Sequence, residues 1–143
     1  METAMRNGLM ILAILSLLAA GCGGGNKLPP LAPVKGKVSV DGQPLTRGMV
    51  QFSPDTTKGA SGPTAVGPID ASGNYELTTD GQSGAMVGPH RVSVVARAEP
   101  KNEMDTLPPS LIADKFSQPS TSGLSFEVKA GQTNTIDLPL TAK

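Results

Sequence analysis

From Val34 onward, apolar and polar residues alternate with a period of two. Val34, Gly36, Val38 and Val40 fall on one side, and Lys35, Lys37 and Ser39 on the other. The same alternation recurs in Val50 and Phe52, then in Tyr75, Leu77 and Thr79, and then in Val92, Val94 and Ala96. It returns in Leu124, Phe126 and Val128, and again in Ile136, Leu138 and Leu140. Successive side chains of a strand point to opposite faces, so each run predicts a half-buried antiparallel strand with one dry face. Ala65 to Ile69 is a shorter candidate, and Pro68 would confine it to a sheet edge. Turn formers separate the runs: Asp41-Gly42 and Gly73-Asn74 suit tight turns because Gly and Asn tolerate positive φ. The pattern predicts an all-β, seven-stranded antiparallel β-sandwich over residues 34–143.

The start of the chain follows another pattern. Gly8 to Gly21 is apolar and uncharged, with Arg6 just before it. A spanning helix needs about 20 apolar residues, so this run is too short and fits the h-region helix of a secretory signal peptide. Met5 offers a second start that would remove Glu2 and leave Arg6 near the amino terminus. Residues 1–21 thus read as signal peptide, with cleavage between Gly21 and Cys22. Residues 22–33 read as a flexible tether: a Gly-rich leash, then a stiffer KLPPLAP segment that favours polyproline II. From Cys22 to Val34 that tether reaches at most about 40 Å.

Composition narrows the chemistry. The 143 residues carry 12 Lys+Arg and 12 Asp+Glu, a balance that speaks against a phosphate-tracking groove and a nucleic-acid partner. There are 17 Gly and 13 Pro, which oppose long helices. One Cys and one His exclude an intrachain disulfide and leave too few ligands for a zinc site. No cofactor, metal site or catalytic set is expected.

His90 falls at an inward position at a strand start, which predicts packing at the sandwich rim. Asp70, Ser72 and Asn74 have the look of a calcium loop, but Gly73 stands fourth rather than sixth and Gly81 stands where a bidentate carboxylate is needed. The expected role of Asp70 is to close its own turn by accepting nearby amides. Residues 99–123 form the longest irregular stretch, a kind of loop that is often functional. Leu111, Ile112 and Phe116 are expected to fold down and cap the sandwich, with one helical turn between Leu111 and Phe116. Residues 56–61 are expected to form a mobile hairpin tip.

Ala19, Ala20, Gly21 and Cys22 resemble the lipobox of bacterial lipoproteins, with Ala19 where that family prefers Leu or Val. The resemblance implies diacylglycerol on the Cys22 thiol, removal of the preceding peptide, and membrane lipid as a partner through the acylated residue. Gly23 is not the Asp that retains enteric lipoproteins on the inner membrane, so the outer membrane is the expected location by analogy.

VKGKVSVDGQPLTRGMVQF, IDASGNYEL and GPHRVSVVA together resemble carboxypeptidase-regulatory-like, transthyretin-like domains, with His90 where an aromatic is usual. LIADKFSQPSTSGLSFEVKAG resembles the end of small lipoproteins of planctomycete-type bacteria. These likenesses imply a prealbumin-like sandwich with an accessory or structural role. The related iron dioxygenases use paired Tyr and His ligands, which one Tyr and one His cannot supply. The related hydrolases end in Tyr-Arg-Gly-Ser, whereas this chain ends Leu-Thr-Ala-Lys.

Three function classes follow. The favoured one is a membrane-anchored, non-enzymatic cell-envelope lipoprotein, a structural or interaction module. The alternative is a carbohydrate-binding module, which the absence of Trp and an inward Tyr75 weigh against. An enzyme is the third, and no nucleophile–base pair supports it. The envelope protein or glycan met by the module is left open by the residues.

Overall fold

A computed structural model describes residues 29–143, so Gly21 and Cys22 lie outside the described residues. In chain order the strands are β1 (Leu31–Ala32), β2 (Val34–Val40), β3 (Gln43–Pro44), β4 (Met49–Pro54), β5 (Ala65–Pro68), β6 (Asn74–Glu76) and β7 (Thr78–Thr79). They continue as β8 (Gln82–Ser83), β9 (Ala85–Met86), β10 (Gly88–Val95), β11 (Leu124–Val128), β12 (Asn134–Thr135) and β13 (Leu138–Leu140). Helix among the described residues is limited to 3₁₀ turns at Thr56–Lys58 and Asp114–Ser117. The architecture is all-β, consistent with a sandwich.

The larger sheet is antiparallel, in the order β11-β10-β4-β5-β7-β8. Its register sets Val92 opposite both Phe52 and Leu124, and Val94 opposite Val50. In the second sheet β2 is central: β6 and β3 pair antiparallel to it, while β12 and β13 pair in parallel. Val34, Val38, Tyr75, Leu138 and Leu140 from this sheet share one apolar core with Val50, Phe52, Val92, Val94 and Val128 from the other. Burying these inner faces is the main driving force for the fold.

The expectation of a wholly antiparallel fold therefore needs correction at β12 and β13. Period-two alternation reports which face is dry and is silent on strand direction, so the parallel pairing could not be read from it. The strand count also differs, because thirteen segments are present among the described residues. Several are two residues long, too short to alternate. Asp80 and Gly81 (φ 49° and 81°) form one tight turn, as do Asp41 and Gly42 (φ 49° and 84°). Two successive positive φ angles match the twist of a two-residue hairpin.

Three further expectations change. The last residues assigned to the tether belong to the fold: β1 pairs with β9, Ala32 is buried, and Val87 N–H donates to the Pro30 carbonyl at 2.9 Å. Strand β5 is interior to its sheet rather than an edge. Pro68 is tolerated because β7 joins β5 only at Val66, leaving Pro68 a neighbour on the β4 side alone. In the long loop, Ile112 and Phe116 join the core, whereas Leu111 is exposed. The turn at 114–117 begins after Leu111, and the bridge between Arg97 and Ser110 turns the chain so that Leu111 faces outward.

Candidate functional site

Two concavities stand out on the surface of the described residues. The larger is an open groove of about 730 Å³, formed where β2, β6 and the two-residue link between β12 and β13 meet. Register creates it: Lys35 lies opposite Glu76, and Lys37 opposite Asn74. Lys35, Lys37, Asp70, Glu76 and Asp137 bring exposed charge of both signs to its lining. The Lys37 amide donates to Asp137 Oδ1 at 3.0 Å, which fastens the link between β12 and β13 to β2. Neither Lys35 nor Lys37 forms a salt bridge among the described residues.

Asp70 sits at one end of this groove and is committed to its turn. Its Oδ1 accepts the Asn74 amide at 2.9 Å and the Ser72 amide at 2.8 Å. Those two donors hold its carboxyl below the usual range. Among the described residues no three His, Cys, Asp or Glu come together in a manner suited to a metal ion.

The floor of the groove is Tyr75, buried with its hydroxyl donating to the Ile136 carbonyl at 2.6 Å. Burial, with a contribution from Asp137, pushes its phenol well above the ordinary value, so it remains a donor. Phe52 and Phe116 are also buried, and Phe126 packs partly buried against the core. No aromatic ring is exposed among the described residues for stacking on a sugar.

The second concavity is a hollow of about 280 Å³ where the chain enters the fold. Its lining includes Pro29, Pro54, Met86, Val87, Pro89 and His90. His90 is in β10, opposite Pro54 and Phe126, with its ring 5.9 Å from that of Phe52. Its inward position was legible from strand parity. Its Nδ1 lies 3.0 Å from the Gly88 carbonyl, a contact that assigns the proton to Nδ1 and leaves Nε2 as a bare acceptor. Nε2 is buried and has no hydrogen-bond partner among the described residues. Burial lowers the imidazole pKa, and the bond to Gly88 opposes that only in part.

Asp55, near this hollow, was not anticipated. It is buried, accepts from the Thr57 hydroxyl at 2.6 Å and amide at 3.0 Å, and lies 3.3 Å from Arg91 Nε. The Thr57 hydroxyl is the main reason its carboxyl is held below the ordinary value. The spacing Asp55-x-Thr57 is the local signal that could have found it, since Asp commonly accepts from the residue two positions on. The contact makes residues 56–58 a built turn.

The described residues contain no helix long and apolar enough to cross a membrane. No family model matches the chain, and no curated protein does. Among solved structures, the chain is similar to a DUF3823 family protein from Parabacteroides merdae, at 14% identity and a TM-score of 0.45. That alignment covers 80% of this chain and 47% of the other, so the chain spans about half the length of its structural neighbour.

Proposed function

We propose that this chain is a lipid-anchored, non-enzymatic module of a bacterial cell envelope, built as a prealbumin-like β-sandwich. The observation that carries this reading is Cys22: the single cysteine follows an apolar run and three small residues. Each buried methylene contributes about 0.8 kcal/mol to membrane binding, and a second chain converts marginal binding to stable anchoring. Acylated Cys22 is thus the partner site for membrane lipid, on the outer membrane by the analogy at Gly23. The sandwich then serves as a folded head for structural or interaction work.

Radioactive palmitate labelling, with membrane fractionation of wild type and Cys22→Ala, tests the anchor. Label and membrane association are expected in the wild type alone. Equal association of both, or an unmodified thiol in the mass spectrum of the native mature chain, would overturn it.

A glycan-binding role is a second reading, favoured by the groove and by its Lys35 and Lys37, which form no salt bridge among the described residues. Polysaccharide pull-down abolished by the double change Lys35→Ala and Lys37→Ala would promote it. Retention undiminished in that variant would remove it.

A further inference from the structure

The chain beyond β10 is a built finger rather than a slack connection. Ala98 N–H donates to the Pro109 carbonyl and Leu111 N–H to the Ala96 carbonyl, each at 2.9 Å, around the bridge between Arg97 and Ser110. The Arg97 guanidinium adds a bond to the Pro108 carbonyl at 2.9 Å. At the tip, Asn102 Oδ1 accepts the Met104 amide at 3.0 Å, and Asp105 Oδ2 accepts the Lys101 amide at 3.2 Å. These bonds hold out Met104, 89% exposed, and Leu107, 71% exposed, the two most exposed large apolar side chains among the described residues. Ordering the tip costs entropy, and the single chain recovers no burial in return. Glu103 and Asp105 flank Met104, with Lys101 further back. The tip is an apolar knob with acidic shoulders.

The hollow at the chain entry is complementary to it. Half-buried Pro54, Val87 and Pro89 give it apolar walls, and Lys58 is the only charged residue lining it among the described residues. Lys58 is exposed and forms no salt bridge among those residues. Gly59, Ala60 and Ser61 on the same rim are small, and about 280 Å³ is open, room for a thioether side chain. The larger groove is a poorer receptor, since Asp70, Glu76 and Asp137 outnumber its two lysines and oppose an acidic tip. Within one molecule, knob and hollow lie at opposite ends of β10: Pro89 lines the hollow, and the finger starts beyond Val95, about 23 Å from Gly88 along the strand. They meet only between copies.

We propose that the finger of one copy seats Met104 in the chain-entry hollow of a second copy, with Glu103 beside Lys58. The contact joins two different patches, so copies add in series until a ring closes. The proposal does not rest on Cys22 or on the anchoring reading.

The test is sedimentation velocity of the full chain in mild detergent over a series of concentrations. Assemblies of two or more copies are expected to grow with concentration. Met104→Glu disables the knob, and Ser61→Trp fills the hollow from an exposed rim position. Each variant alone is expected to be monomeric. Mixed in equal amounts they are expected to form a dimer and nothing larger, because each supplies the half that the other lacks. Lys58→Glu is expected to weaken association about tenfold by opposing Glu103, and adding Glu103→Lys to that variant to restore it. Unchanged urea midpoints report that the variants keep their fold. A wild type that stays monomeric, or a mixture that does, would overturn the proposal. Association undiminished in Ser61→Trp would overturn it equally, since the hollow is then no receptor and is filled by residues 27–28 of its own chain or by detergent.

Discussion

The Tyr75 hydroxyl donates to the Ile136 carbonyl at 2.6 Å, tying β6 to the link between β12 and β13 across the intervening strand β2. Gly36 lies directly beneath, where a Cβ would overlap that same carbonyl oxygen. The phenol of Tyr75 and the bare Cα of Gly36 thus help seat the parallel return of the chain, beside the backbone bonds from Asn134 N–H to the Pro33 carbonyl and from Ile136 N–H to the Lys35 carbonyl, each 2.8 Å. Tyr75→Phe removes the bond and leaves a carbonyl without its partner. A loss of about 1 kcal/mol is expected in urea unfolding, and an unchanged midpoint would show that the contact contributes nothing.

Gly36→Ala is expected to be far worse than Gly42→Ala. At Gly36 the new methyl meets backbone, which cannot swing aside as a side chain could. A cost of about 3 kcal/mol follows from overpacking of this kind. At Gly42 the space is open and only the positive φ of 84° resists a side chain, at about 1 kcal/mol. Comparing the two melting temperatures checks the order, and the reverse order would contradict the packing described.

His90 makes stability depend on pH. Burial keeps the folded imidazole neutral below the ordinary value, while an unfolded histidine takes its proton near about pH 6.5. Between those two points the unfolded chain binds more protons, so stability falls as pH drops below about 6.5 and levels off below the folded value. Asp55 and Asp70 shift downward, and their contributions are lost only in a more acidic range. Urea midpoints from pH 8 to pH 5 are expected to slope in the wild type and to flatten over that window in His90→Phe. Parallel slopes would dismiss the histidine as the source.

Ile112 and Leu111 are neighbours with opposite roles. Ile112 is buried in the core and Leu111 is exposed. Ile112→Ala is expected to cost about 2–5 kcal/mol, and Leu111→Ala no more than about 0.5 kcal/mol. Equal losses would mean that the loop lies differently over the sandwich.

Sequence alone determined most of the dry positions, although Val40, Leu124, Phe126 and Ile136, inward by the same parity, are only partly buried. Val34, Val38, Val50, Phe52, Tyr75, Leu77, Val92, Val94 and His90 are all buried as their parity required, because strand periodicity is local chemistry repeated every second residue. The Asp41-Gly42 turn and the Asp70 turn were legible for the same reason: a few neighbouring residues specify each. Tertiary structure decided what depends on distant partners. The direction of β12 and β13 along β2, the groove between Lys35 and Glu76, and the hollow at the chain entry all arise from pairing register and chain return. Alternation carries no record of which strand lies alongside or which way it runs, so those features appear only when the two sheets close on their shared core.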